Sequence, residues 1–177
     1  CAGGRVFLEQ APAGHMERTI ETARQMGATV ESLEEGIRVS MRGRPHPIRL
    51  ETGPYPEFPT DMQSLFMAFL SIAKGESCIT ENVFEDRFGT AAGLVKMGAD
   101  ITCQGKTAVI KGVPLLAGTK VRALDLRGAA ALVMAALGAE GSTIIEDCYH
   151  IKRGYEDICR DLRALGGRAD WMESDTG

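Results

Sequence analysis

Pro54-Tyr55-Pro56-Glu57-Phe58-Pro59-Thr60-Asp61-Met62-Gln63 separates a stretch that cannot be helical from one that is. Prolines 54, 56 and 59 hold the chain extended and bar a helix up to that point. Thr60 stands three residues before Gln63, the spacing of a capping box. Met62, Leu65, Phe66, Phe69 and Ala73 then recur at helical spacing. The pattern predicts a stiff strap that delivers Asp61 into the first turn of a helix, where backbone N–H groups are still unpaired.

Outward from the strap, the chain repeats itself. Gly4-Arg5-Val6-Phe7-Leu8-Glu9, Gly75-Glu76-Ser77-Cys78-Ile79-Thr80 and Gly141-Ser142-Thr143-Ile144-Ile145-Glu146 each read as a strand. Each leads to a helix ending near a glycine (27, 98 and 166) and then to Ala28-Thr29-Val30-Glu31, Ala99-Asp100-Ile101-Thr102 or Gly167-Arg168-Ala169-Asp170. The leading glycines stand 71 and 66 residues apart and the helix-exit glycines 71 and 68. A period of that size marks a repeated supersecondary unit, and glycine suits the left-handed position after a helix.

Leu126, Ala129, Ala130, Val133, Met134 and Leu137 form a second helical stripe. Tyr155, Ile158, Leu162 and Leu165 form a third, and Met16, Ile20 and Ala23 a weaker one. Ile37-Val39-Met41 and Ala108-Ile110 alternate as strands do. The expectation is one α/β domain over 1–177, with units of roughly 1–52, 53–114 and 115–177 and helix pairs packed against short sheets. The first unit lacks its leading helix, as in a chain cut from something longer.

Composition narrows the function. Of 177 residues, 44% are apolar, enough for one core. A net charge of −4 argues against nucleic acid, whose phosphates call for a basic field. The nearly apolar run 129–139 is too short to span a bilayer. Five cysteines, an odd number without C-x-x-C, suit reduced thiols in the cytoplasm. Cys78, Cys103 and Cys159 fall in strand or helix patterns and are expected to be buried. Cys1 is expected to be a cut end, and the polar tail 173–177 to fray. His15, His46 and His150 stand singly, without metal-ligand spacing. No dinucleotide or P-loop glycine motif appears, so neither a metal nor a cofactor is expected.

The strap and four further runs carry a family resemblance. The runs are Ile79-Thr80-Glu81-Asn82-Val83-Phe84-Glu85-Asp86-Arg87-Phe88, Met97-Gly98-Ala99-Asp100, Asp125-Leu126-Arg127 and Tyr149-His150-Ile151-Lys152-Arg153-Gly154-Tyr155-Glu156. In order and spacing they resemble the UDP-N-acetylglucosamine 1-carboxyvinyltransferases, of the enolpyruvyl transferases. The resemblance implies an inside-out α/β barrel with helices inside, sheets outside and approximate threefold symmetry. It also implies that this is only the C-terminal portion of such an enzyme, partnered by a missing N-terminal-half domain. The implied reaction moves the enolpyruvyl group of phosphoenolpyruvate to the 3-hydroxyl of UDP-N-acetylglucosamine, at the start of peptidoglycan synthesis. Rival readings are the sister 5-enolpyruvylshikimate-3-phosphate synthases, and a non-catalytic scaffold made of the same repeats.

The candidate residues each carry two readings. Asp61 either complements a helix dipole, worth about 0.3–1 kcal/mol, or takes a proton from a sugar hydroxyl. Asp125 is an N-cap before the stripe at Leu126, or, as the resemblance implies, a group near the reacting carbon. Arg127 is a cation in a first turn, where the dipole disfavours it, and the resemblance puts it near the enolpyruvate. Leu124 and Gly128 replace the usual threonine and serine, which removes hydroxyls from that turn. Arg153, at the expected start of the last helix beside Lys152, is either a surface cation or a bidentate carboxylate clamp. Val83 and Arg87 are either helix-start packing or substrate contacts, Val83 through its backbone. The helix starts at Asp61, Asp125 and Arg153 are expected to gather at one end of the domain.

Overall fold

A computed structural model describes residues 3–172. Cys1 and the tail 173–177 lie outside the described residues. The chain opens with β1 (Gly4–Glu9), α1 (Glu17–Gln25), β2 (Thr29–Leu33) and β3 (Gly36–Met41). It continues through β4 (Arg49–Glu51), α2 (Gln63–Leu70), β5 (Glu76–Thr80), α3 (Thr90–Lys96), β6 (Asp100–Gln104) and β7 (Thr107–Lys111). Last come β8 (Lys120–Arg122), α4 (Leu126–Leu137), β9 (Ile144–Glu146), α5 (Tyr149–Gly154) and α6 (Ile158–Ala164).

The sheets repeat as the sequence does. The first runs β1-β3-β2 and the second β4-β5-β7-β6, so β5-β7-β6 reproduces the first sheet's antiparallel order. The parallel pair β4–β5 recurs as β8–β9, three residues on each strand. Gly27, Gly98 and Gly166 leave their helices with φ of 97°, 95° and 86°, the left-handed geometry that favours glycine. The third unit departs from the pattern, because Gly167-Arg168-Ala169-Asp170 forms no strand. β2 is held by its hairpin partner β3, and β6 by β7. Among the described residues no such partner follows Asp170.

The core lies between α2 and α4, which pack directly on each other. The expected α2 stripe is only part of its buried surface. Met62, Leu65 and Phe69 are half-buried, whereas Gln63, Met67, Ala68 and Leu70 are wholly inaccessible. A helix apolar on nearly all sides belongs in an interior. On α4 the small residues Gly128, Ala129, Ala130 and Ala131 are buried, which lets neighbouring backbones come close. Ile79 of β5 and Ala108 and Ile110 of β7 are fully buried, while their strand neighbours are more exposed. One wet face is the usual state of an antiparallel sheet. Among the described residues no helix is long and apolar enough to cross a membrane.

Two of the sequence readings need correction here. Cys159 is buried and Cys78 half-buried, but Cys103 is exposed. It sits on β6, the edge strand of its sheet, with a strand on one side only. The last helical stretch is also two helices. Tyr155 is extended, and Asp157 starts α6 by accepting the N–H of Arg160 at 3.0 Å. Arg153 therefore lies in the last turn of α5 and does not begin a helix. Leu165 of the expected stripe is largely exposed.

Candidate active site

The strap is not extended as its prolines predict: residues 54–57 turn back on themselves, and the loop is pinned at both ends. Gly53 donates to the carbonyl of Phe58 at 3.0 Å and Glu57 to that of Pro54 at 2.9 Å. Phe58 is buried edge-on against Phe66 of α2, ring centres 4.9 Å apart. Thr60–Met62 then makes one 3₁₀ turn that runs into α2. The capping box does not form. The N–H of Gln63, which the Thr60 hydroxyl would have accepted, already bonds the Thr60 carbonyl. The hydroxyl is thereby free to donate to Glu81 Oε2 at 2.9 Å.

Glu81 follows β5 and is 2% exposed. Its Oε1 accepts the Thr52 hydroxyl at 2.8 Å and the N–H groups of Val83 and Phe84 at 2.9 and 3.1 Å. Burial by itself would push its pKa up. The bonds from Thr52, Val83, Phe84 and Thr60 outweigh burial and hold it below the ordinary glutamate value.

One residue beyond Thr60, Asp61 meets two arginines. Arg127 Nε donates to its Oδ1 at 2.5 Å and Arg87 Nη2 to the same oxygen at 3.1 Å. Neither bond uses Oδ2. The Arg127 hydrogen bond, aided by the charges of Arg127 and Arg87, lowers the Asp61 pKa against a smaller opposing effect of burial. Arg87 also lies over the Phe84 ring, 5.0 Å from its centre. Asp125 caps α4, its Oδ1 accepting the N–H groups of Arg127 and Gly128, both at 2.9 Å. Asp61, Arg87, Asp125 and Arg127 thus meet at one end of the domain, where the starts of α2, α3 and α4 converge; the third start is that of α3, not of the helix that carries Arg153.

The other candidates fall close by or are qualified. The N–H of Val83 is committed to Glu81, so its carbonyl is the backbone group it can offer. A Cβ at Gly154 would come within 2.5 Å of Leu126 Cδ1, which seats Arg153 beside the α4 start. Among the described residues the Arg153 guanidinium forms no ion pair. Lys152 places its ammonium 5.0 Å from the centre of the Trp171 ring, so its charge is engaged there. The missing hydroxyl at Gly128 also finds a counterpart. A Cβ at that position would lie 2.6 Å from Thr90 Oγ1, and Thr90 in turn reaches Ser64 Oγ at 3.4 Å.

Sequence reading passed over Glu81 and Thr90. No periodicity marks either, and Thr52 and Thr60, which bond Glu81, and Ser64, which bonds Thr90, are remote in the chain. The nearest signal was a carboxylate directly after the strand that ends at Ile79-Thr80. Among the described residues no group of three or more His, Cys, Asp or Glu side chains is placed to hold a metal ion.

Residues 1–162 match the sequence model of EPSP synthase (3-phosphoshikimate 1-carboxyvinyltransferase). The chain belongs to the EPSP synthase family. Within that family it is 47% identical over 163 residues to the UDP-N-acetylglucosamine 1-carboxyvinyltransferase of Sphingopyxis alaskensis, covering 92% of this chain and 38% of that protein. It is 48% identical over 166 residues to the enzyme of the same name from an Anaeromyxobacter species, covering 94% and 39%. The EPSP synthase family chain therefore spans about two fifths of the length of these relatives. Among solved structures it resembles the enolpyruvyl transferase NikO from Streptomyces tendae, with TM-score 0.78, 29% identity, and 86% of this chain and 35% of that one covered. The EPSP synthase of Acinetobacter baumannii shares the fold at TM-score 0.70 and 22% identity, over 98% and 41%.

Proposed function

We propose that this chain is the C-terminal portion of an enzyme that transfers the enolpyruvyl group of phosphoenolpyruvate to the 3-hydroxyl of UDP-N-acetylglucosamine, in peptidoglycan synthesis. The observation that carries this reading is the convergence of Asp61, Arg87, Asp125 and Arg127 on one end of a chain nearly half identical to transferases of that name. We read three units, roughly 1–52, 53–114 and 115–177, arranged as an inside-out barrel with α2 and α4 inside; the order β1-β3-β2 recurring as β5-β7-β6 and the pair β4–β5 recurring as β8–β9 support a repeat. The free thiols suit the cytoplasm.

In the reaction, a new C–O bond joins the sugar oxygen to C2 of phosphoenolpyruvate while C3 gains a proton. The tetrahedral adduct then loses a C3 proton and expels phosphate, which restores the double bond. Asp61 is the group proposed to accept the hydroxyl proton, and Asp125 to act near C2. Arg87, Arg127 and Arg153 offset the negative charge of the carboxylate and phosphate, and the Val83 carbonyl orients the sugar. In this arrangement the Arg127 pair weakens Asp61 as a base. A substrate anion that draws Arg127 away would restore basicity when the hydroxyl is in place, which couples the two substrates. The remaining groups would come from the rest of the enzyme across a closing cleft.

The test is phosphate release by the whole enzyme containing this chain, given phosphoenolpyruvate with either UDP-N-acetylglucosamine or shikimate 3-phosphate. Turnover with the sugar nucleotide alone is expected, and none from the 177-residue chain. Turnover with shikimate 3-phosphate alone would move the assignment to the sister reaction. Turnover with neither would favour the scaffold reading.

A further inference from the structure

We propose that Glu81 is a positioning residue for Asp61, holding the strap and the Val83–Arg87 turn in register so that the carboxylate meets its two arginines. The proposal rests on Asp61 acting in the reaction above.

The argument starts from cost. An ionised carboxylate at 2% exposure is expensive unless fully hydrogen-bonded. Glu81 meets that cost with four donors drawn from three segments: Thr52 at the end of the β4 segment, Thr60 on the strap, and Val83 and Phe84 opening the turn after β5. Two of these segments carry the groups that meet at the site. Thr60 is the neighbour of Asp61, and the Val83–Phe84 turn leads to Arg87, whose guanidinium lies over the Phe84 ring. Both loops hang from one carboxylate, Thr60 from Oε2 and the turn from Oε1. An apolar residue could fill the same space, but it could not specify where two loops 21 residues apart sit relative to each other. Oriented polar contacts fix such geometry where dispersion contacts do not.

The variants separate positioning from mere support. Thr60→Val removes only the strap bond and nearly preserves volume, and Thr60→Ser restores the hydroxyl. Glu81→Gln keeps Oε1 for Thr52, Val83 and Phe84 and offers an amide N–H to the Thr60 oxygen. Two readouts are taken: the carboxyl titration of Asp61 by carbon NMR in the 177-residue chain, and kcat and KM in the whole enzyme. Thr60→Val should move the Asp61 pKa up toward the ordinary carboxylate value. It should also lower kcat by roughly 10–100-fold with a smaller change in KM, the size of effect produced by misplacing a catalytic group by about 1 Å. Thr60→Ser and Glu81→Gln should stay close to the parent in both. An Asp61 titration unchanged in Thr60→Val overturns the proposal whatever kcat does. A shifted titration with unchanged kcat upholds the positioning and removes Asp61 as the base. If Thr60→Val does not fold, Thr60→Ala gives the same reading.

Discussion

Arg127 donates its Nε–H to Asp61 across 66 residues of chain, and the backbone N–H of the same Arg127 is capped by Asp125. One residue thus ties the strap before α2 to the first turn of α4. A cation in a helix's first turn runs against the dipole. The carboxylate of Asp61 and the cap at Asp125 supply the compensating negative charge.

Asp61→Asn in the whole enzyme should retain the fold and much of the substrate binding while losing about 10²–10⁴-fold in kcat, the usual contribution of a general base. Steady-state kinetics with both substrates varied would measure it. An unchanged kcat would leave Asp61 with only its ion pairs.

Acid should weaken the domain through Glu81. Its folded pKa is held below the ordinary value, so the stability it contributes is present above about pH 4.3, the unfolded glutamate value. That contribution is lost as pH falls through the folded value. Asp61 is shifted in the same direction and adds to the slope. Urea midpoints between pH 3 and 6 should fall on acidification in the parent chain and fall less steeply in Glu81→Gln. Equal slopes would mean that Glu81 is not ionised in the fold.

Gly128 and Thr90 should couple. A Cβ at position 128 would sit 2.6 Å from Thr90 Oγ1 and 3.0 Å from Asp125 Oδ2. Gly128→Ala alone should destabilise by about 1–3 kcal/mol through overpacking. In a Thr90→Ala background the contact with Oγ1 is gone, and the alanine's helix preference of up to about 1 kcal/mol should emerge. A double-mutant cycle by denaturant unfolding reads the coupling. Additive effects would contradict the close approach.

Arg44 joins the first sheet's exit to the centre of the domain. Its Nε donates to the carbonyl of Ile72 at 2.8 Å, and its Nη2 to those of Ala73, Val113 and Gly112 at 2.6, 3.0 and 3.3 Å. Arg44→Met should cost about 1–3 kcal/mol by leaving partly buried carbonyls unpaired. Arg44→Lys should recover little of it, because an ammonium lacks the planar fork. Thermal or urea unfolding of both variants checks this, and a full rescue by lysine would show that charge alone suffices.

The sequence by itself determined the α/β class, the repeat of the units and the glycines that close the helices. Each is local: the left-handed turn and apolar periodicity act within a few residues, whereas the strap, read as extended from its prolines, closes into a loop. Even the Asp125 cap was legible, since a cap bonds N–H groups two and three residues away. Tertiary structure alone decided the rest. Thr60 spends its hydroxyl on Glu81 and not on its own helix, because the 3₁₀ turn satisfies the Gln63 N–H through the backbone. Arg153 closes a helix instead of opening one because Asp157 starts a new helix four residues later. Cys103 is exposed because β6 is an edge. Arg87, Arg127 and Asp61 meet because three helix starts converge, and the reach of Glu81 to the strap rests on donors that lie 21 and 29 residues back along the chain. These contacts depend on which segments the packing brings together, and no pattern of neighbours in the chain encodes that.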